Sequence, residues 1–445
     1  MTRKEILSGL WESLFLVLTL VGIALVSPFI LIVGLFGFII VIGARIWSRL
    51  SLEDLVYERD LPDHSVFVGD EFDMEIRITN AKPLPIPWLR IADMVPVGLE
   101  VLNARMGRSN SRAALELRES INLAWYERVR MHYRVRALRR GFHQLGPAVL
   151  DSGDLFGMFP RHGQTAPPRD GVLVYPRTVE LPDFEMPSGR PIGDNRATVA
   201  LWDDPNRPRG LREYVPGDPI KTIDWKVTAR LRQVLVRTFD PSVTQYAVVV
   251  MDVSTTDYLF TGYSPRLLER AIVGAGSIVS RSMELGHRVG LVTNGVALRS
   301  GTRMVIPPSA SPTQLGAIME ALAMIRPVAP ERIDRLLERE ASWAVPYGST
   351  VVIISAVMNP DLLEVAERLA ISGHPARAIY VGRDKVPEGT ARVPVEDMGT
   401  RFDLPMPKSP EPTVGDSFVD DDFGEDFEEQ IKLERGEASF ERWRM

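Results

Sequence analysis

Residues 245–254 read QYAVVVMDVS, and this stretch decides the fold of the carboxy-terminal half. Five apolar residues stand in a row, bounded by polar ones. A run this short and continuous reads as a strand buried on both faces, because a strand with one wet face would alternate. Working outward, PRLLERAIVGAGSIVSRSMELG (265–286) reads as an amphipathic helix ending at Gly286, and HRVGLVTNG (287–295) as a second buried strand. Helical stretches at 312–325 and 330–342 follow, then STVVIISAV (349–357), a helix over PDLLEVAERLAISG (360–373), and ARAIYVG (376–382). Short apolar strands separated by helices imply a mostly parallel sheet covered on both faces. The expected unit is a doubly wound α/β domain over 245–399.

Upstream the period changes. Residues 51–175 contain SVFVGD, FDMEIRITN, WLRIADMVP, INLAWYERV and RMHYRVRAL, which alternate with period two. Phe72, Met74, Ile76 and Ile78 share one face while Asp73, Glu75 and Arg77 share the other, as half-buried strands require. Gly69-Asp70, Asn80 and the prolines of KPLPIPW supply turns. An all-β, immunoglobulin-like sandwich is the natural expectation. The arginines at 128, 130, 134, 136, 139 and 140 read as a solvated strand face in preference to a lipid-contacting one. Between the two domains, residues 176–244 form a connector that is rich in proline and glycine up to 209.

Ahead of the sandwich, thirty-two residues from Ser13 to Ala44 carry no charge. That length exceeds a signal-peptide core and implies a transmembrane anchor over residues 1–50. Ser27-Pro28 interrupts the run, so it divides into two arms of about 15 residues, or forms one tilted span. Arg3 and Lys4 precede it while Arg45 and Arg49 follow, and basic flanks prefer the cytoplasm. The expectation is a two-helix, multi-pass anchor in the cell membrane, with the lipid bilayer as a partner and the large domains cytoplasmic.

Composition excludes several chemistries. The 445 residues include no cysteine, which removes disulfides, thiolate metal sites and cysteine nucleophiles. The net charge of −6 sits in the tail, because residues 400–445 hold thirteen acids and six bases. That acidic tail reads as disordered, with Phe418, Phe423, Phe427, Phe440 and Trp443 available for docking. The rest lacks the clustered basic field that nucleic acid requires, so no nucleic-acid partner is expected. The six histidines are scattered without metal-ligand spacing.

The most distinctive segment is GLREYVPGDPIKTIDWKVTAR, residues 210–230. Arg212, Tyr214, Gly217, Asp218, Ile223, Asp224, Trp225, Ala229 and Arg230 match the signature of the proteins grouped as domain of unknown function fifty-eight, which the chain resembles. RRGFHQLGPAVLDSGDLFGMFPR (139–161) resembles a second region of that family. The resemblance implies an α/β later half similar to a von Willebrand factor A domain, a two-helix anchor, and MoxR-type AAA+ ATPases as associated proteins. From the residues alone, Pro216, Gly217 and Asp218 suit a tight turn. Arg212, Asp218, Asp224 and Arg230 would form an ion-pair network if buried together, or a partner-reading surface if exposed.

Asp252, Ser254 and Thr256 resemble the adhesion-type metal motif of von Willebrand factor A domains, at the carboxyl end of the first α/β strand, where Mg2+ could bind. Ala356 stands where a further acid would be expected, and neither Thr313 nor Asp361 is placed by the sequence. The alternative is that Asp252 and Ser254 cap the following helix. No catalytic residue and no certain cofactor emerge. The leading expectation is a non-enzymatic membrane scaffold that binds a protein partner, plausibly an AAA+ ATPase. A metal-dependent hydrolase and an extracellular adhesin-like protein are the rivals.

Overall fold

The computed structural model describes residues 3–62, 65–109, 113–164, 170–186, 203–215, 223–241, 246–256, 263–297, 303–405 and 440–444. The chain divides into two compact units, residues 1–177 with 405–445, and residues 178–404.

The first unit opens with helices α1 (Arg3–Ala24) and α2 (Pro28–Ser51). The chain turns between them at residues 25–27, with Val26 at φ 50° and Pro28 at the first helical position, where its missing N–H costs nothing. The helices run antiparallel, since Gly22 near the end of α1 faces Leu31 near the start of α2, while Glu12 in the middle of α1 accepts from Arg45 toward the end of α2 at 2.5 Å. Gly34 allows their close approach: a Cβ there would lie 2.6 Å from the Thr19 amide nitrogen. Both arms outrun the expected fifteen residues, because helical hydrogen bonding continues into the charged flanks. Among the described residues α2 alone is long and apolar enough to cross a bilayer, while the apolar part of α1 is Trp11–Ala24.

Twelve strands follow: β1 (Leu55–Asp60), β2 (Val66–Phe67), β3 (Glu71–Asn80), β4 (Ile86–Pro96), β5 (Leu99–Val101), β6 (Met106–Arg108), β7 (Ala114–Leu123), β8 (Glu127–Ala137), β9 (Gly141–Gln144), β10 (Ala148–Ser152), β11 (Arg161–Gln164) and β12 (Gly171–Tyr175). One antiparallel sheet runs β1-β3-β8, with β5 on the edge of β8; a second runs β11-β10-β4-β7-β6; β2-β12-β9 form a third, small sheet. Met74, Ile76 and Ile78 of the first sheet share one core with Leu89, Ile91 and Leu117 of the second. On the outer face Glu71 lies opposite Arg136 and Asp73 opposite Arg134, while Arg130 lies opposite Arg77 and reaches Glu75 diagonally, so acids of β3 balance three of the arginines of β8.

Inside the core, Arg59 of β1 and Asp93 of β4 form a buried ion pair between the sheets, at 2.7 Å. The Tyr57 hydroxyl donates to the same carboxylate at 2.7 Å, and burial together with Asp93 pushes its pKa up. Lys82 joins helix to sandwich. Its Nζ donates to the carbonyl of Ser51 at 2.6 Å and to that of Glu53, a favourable place for a cation at a helix C-terminus.

The second unit begins with an antiparallel ribbon, β13 (Asp203–Glu213) and β14 (Leu235–Pro241), with the short helix α3 (Trp225–Leu231) between them. The proline-rich sequence expected to be a connector thus contains a strand. Pro205 and Pro208 are tolerated because a two-stranded ribbon leaves one edge of each strand unpaired, and the register shifts on both sides of Pro208.

There follow β15 (Tyr246–Met251), α4 (Pro265–Glu284), β16 (Arg288–Ala297), β17 (Arg303–Ser309), α5 (Gln314–Met324), β18 (Ile325–Arg326), α6 (Ile333–Ala344), β19 (Thr350–Ser355), α7 (Pro360–Ile371), β20 (Ala376–Tyr380) and β21 (Val395–Asp397). The sheet order is β17-β16-β15-β19-β20-β21, with β18 also on β16. Strands β15, β16, β19, β20 and β21 are parallel; β17 and β18 run against β16. Val248, Val250, Val351 and Ile353 pack against α6 and α7, while Ala247, Val249 and Met251, pointing the other way, are equally buried. Both faces are therefore covered, as the unbroken apolar runs require. Strand β17 is absent from the sequence expectation, because Pro307 and Pro308 disguise an edge strand.

The chain returns to the first unit at β22 (Phe440–Arg444), antiparallel to the Glu127–Met131 half of β8. This corrects the expectation of a wholly disordered tail: the half of the β8 edge not covered by β5 offers unpaired backbone groups, and the chain end fills it. The acidic run DSFVDDDFGEDFEEQ lies outside the described residues.

Candidate functional site

In the second unit the chain leaves β15 toward β16 on one side and later returns to place β19 on the other. The switch point is between β15 and β19, where open α/β sheets form a crevice at the carboxyl ends. Asp252 follows β15, Ser355 ends β19 and Asn294 sits near the end of β16. The three meet. Asp252 Oδ1 accepts from the Ser254 amide at 2.9 Å and from Asn294 Nδ2 at 2.8 Å, while Oδ2 accepts from the Ser355 hydroxyl at 3.0 Å. The Ser254 hydroxyl also bonds this carboxyl. Asn294 cannot turn its amide round, because its Oδ1 accepts from the Val253 amide at 3.0 Å.

Asp252 is 4% exposed, and burial raises its pKa against the lowering effect of these donors. Its oxygens are held by protein donors, and an amide NH2 faces it where a cation would stand. The single carboxyl, the fixed amide and Ala356 fit a divalent cation poorly, since Mg2+ calls for oxygen ligands. Thr256 is partly exposed beyond the cluster. Thr313 bonds Ser311, and Asp361 pairs with Arg332 at 2.6 Å. Among the described residues no three His, Asp or Glu side chains converge as metal ligands. Nor does Asp252 cap α4, which starts at Ser264 with no side-chain cap. Instead it ties three strand ends together. Sequence reasoning missed Asn294 and Ser355; the available signal was a polar residue closing each apolar run.

The signature segment forms the other candidate surface. Asp224 caps α3, its Oδ1 accepting from the Lys226 and Val227 amides, each at 3.1 Å. Its own amide donates to the Leu235 carbonyl, and the Thr228 hydroxyl accepts from the Leu235 amide at 3.1 Å, so helix and ribbon are locked together. Arg212 is exposed, donating to the Glu213 carbonyl at 3.1 Å, and Arg230 is exposed in the last turn of α3. Of the four charged residues expected to pair if buried, Arg212 and Arg230 are exposed and Asp224 is half-buried, because a helix of seven residues with no buried position offers nothing to bury the charges in. Gly217 and Asp218 lie outside the described residues. Several large apolar side chains in and just after the segment face outward, with Trp225 63%, Leu231 60% and Val215 57% exposed and Leu211, Tyr214 and Val234 partly so, while Ile223 and Val227 are half-buried.

Residues 210–385, from the end of β13 to just past β20, match the family described as Protein of unknown function DUF58. Over this stretch the chain resembles the DUF58 family. The chain is 22% identical over 336 residues to the uncharacterized protein YeaD of Bacillus subtilis (strain 168), covering 74% of the chain and 76% of that protein. Among solved structures, the CARDB domain of the PF1109 protein from Pyrococcus furiosus is similar over 29% of this chain and 95% of its own, at 14% identity and a TM-score of 0.19. Trypsin-activated alpha-2-macroglobulin from Escherichia coli is similar over 38% of this chain and 9% of its own, at 20% identity and a TM-score of 0.20.

Proposed function

We propose that this protein, a DUF58 relative, is a non-enzymatic membrane scaffold whose signature ribbon and helix α3, carried on a von Willebrand factor A-like unit, bind a protein partner. The observation that carries this reading is the outward display of Trp225, Leu231 and Val215. Large apolar side chains gathered on a soluble surface mark interaction sites, and Trp is among the residues that most often anchor them. Asp224 supports the same reading, since it spends its carboxylate on shaping the surface. At the sheet edge Asp252 and Ser355 are buried and bonded to each other, so neither presents a reactive atom to a substrate. The family resemblance points to a MoxR-type AAA+ ATPase as partner, in assembling or remodelling envelope complexes.

The antiparallel helices α1 and α2 supply the anchor in this reading, a multi-pass hairpin in the cell membrane. Both of its ends emerge on one side, where Arg45 and Arg49 favour the cytoplasm. The decisive experiment reconstitutes the full chain in lipid nanodiscs and titrates it with the MoxR-type ATPase of the same organism, measuring binding for wild type and Trp225→Glu. Binding that falls at least tenfold in the variant supports the reading. Equal binding by both, or metal-dependent turnover of phosphoester or peptide substrates lost in Asp252→Ala, defeats it. Protease accessibility in intact cells tests the orientation, because external cleavage of the large units is incompatible with it.

A further inference from the structure

The first unit carries a second apolar surface. Strand pairing fixes which loops share an end of the sandwich: Leu55 lies opposite Asn80, Ile86 opposite Leu123, and Ser152 opposite both Leu89 and Arg161. The start of β1, where α2 feeds in, therefore lies at the same end as loops 81–85, 124–126 and 153–160. That end displays Phe156 at 67%, Leu155 at 61%, Trp125 at 56% and Tyr126 at 44% exposure.

These side chains are held outward by the path of the backbone. The buried carboxylate of Asp154 accepts from the amides of Phe156 at 2.9 Å, Met158 at 3.3 Å and Phe159 at 2.7 Å, and Trp88 Nε1 donates to the Asp154 carbonyl at 3.1 Å. The loop is wrapped around a polar centre, leaving its apolar tips Leu155 and Phe156 largely exposed. It also touches the anchor: the Ser48 hydroxyl donates to the Phe159 carbonyl at 2.5 Å. The Glu12–Arg45 pair marks where charge begins at the open end of the helical hairpin. Ser48 lies three residues further on, about 5 Å along the helix, within the headgroup layer of a bilayer whose apolar core ends at that pair. The second loop is tied in through Tyr126, whose amide donates to the Lys82 carbonyl at 3.3 Å, and Lys82 holds Ser51 at the end of α2.

We infer that this end of the sandwich is seated in the bilayer interface, with Leu155 and Phe156 inserted among the lipids and Trp125 and Tyr126 beside them at headgroup level. The inference rests on the anchor reading above, and its occupant follows from continuity: the loops that carry the four side chains are hydrogen-bonded, directly or through Lys82, to the end of α2. Aromatic residues at such a level are the usual interfacial anchors. The sandwich then stands rigidly on the membrane instead of trailing from it.

The absence of cysteine makes the test clean. Single variants Phe156→Cys, Trp125→Cys, Leu102→Cys and Phe36→Cys of the full chain are labelled with an environment-sensitive fluorophore in phosphatidylethanolamine–phosphatidylglycerol vesicles. Quenching is measured with aqueous iodide, with lipids spin-labelled near the headgroup, and with lipids spin-labelled deep in the chain. Leu102 reports the half of the sandwich away from these loops, where its amide donates to the Arg134 carbonyl, and Phe36 reports mid-α2. The expected result is that labels at 156 and 125 are quenched by the shallow lipid label and protected from iodide, while the label at 102 responds only to iodide. If the label at 36 is quenched by deep lipid but those at 156 and 125 behave like 102, or escape both quenchers, the seating is wrong and the anchor stands. If the label at 36 also escapes the lipid quenchers, the anchor reading falls and takes the inference with it.

Discussion

The Asn294 Nδ2 atom lies 2.8 Å from Asp252 Oδ1, and the amide that carries it is fixed by the Val253 N–H. One side chain thus joins the end of β16 to the end of β15 through both of its polar atoms. Asn294→Ala removes the partner of a buried N–H and one donor to a buried carboxylate. Each buried group left unpaired costs about 1–3 kcal/mol, so urea unfolding of the whole chain in detergent is expected to show a loss of that order. A loss below a few tenths of a kcal/mol would contradict the pin.

The same amide sets an expectation for metal. In the wild type, millimolar Mg2+ or its chelation leaves the thermal midpoint unchanged. Asn294→Asp replaces the facing NH2 with a second carboxylate, and there Mg2+ is expected to raise the midpoint by mass action. A Mg2+-dependent rise in the wild type would show that the donors rearrange to admit a cation.

Two aspartates give opposite pH signatures. Burial raises the Asp252 pKa, so its contribution is fully present below the unfolded value of about 3.9 and is lost as pH rises through the folded value. Asp252→Asn should therefore flatten stability in the mildly acidic range while keeping the acceptor for Asn294. Arg266 and Arg270 hold the Asp403 carboxyl well below the usual range. Its contribution is present above about 3.9 and is lost as pH falls toward the folded value, so Asp403→Asn should make the acid limb shallower. Denaturation at a series of pH values separates the two.

In the sandwich, Arg59 and Asp93 offer a double-variant test. Asp93→Ala strands a buried guanidinium and is expected to cost roughly 3–5 kcal/mol, whereas replacing both partners with apolar residues of similar volume should be close to neutral. If the single and double variants are equally unstable, the pair is not the origin of the loss.

Much of this fold is legible in the order of residues alone. The unbroken run around Val248 and the alternation of Met74, Ile76 and Ile78 each identify their sheet, because burial on two faces or one leaves a distinct period. The turn at Ser27-Pro28 follows from proline chemistry. What misled was proline inside strands: Pro208 and Pro307 read as loop because their tolerance depends on being at an edge, which only pairing reveals. Arg59 on β1 similarly gives no sign that it points inward, since its partner Asp93 lies thirty-four residues away.

The sequence by itself determined the order of parts, an apolar pair of helices, an alternating all-β region, and an α/β region with the DUF58 signature, because those features are local and periodic. Tertiary structure alone decided what Asp252 does, since Asn294 and Ser355 are forty-two and one hundred and three residues distant and meet it only when three parallel strands end together. It alone turned Trp225 and Phe156 outward as well. Whether an apolar side chain is core or contact surface depends on what packs over it, and no local period encodes that.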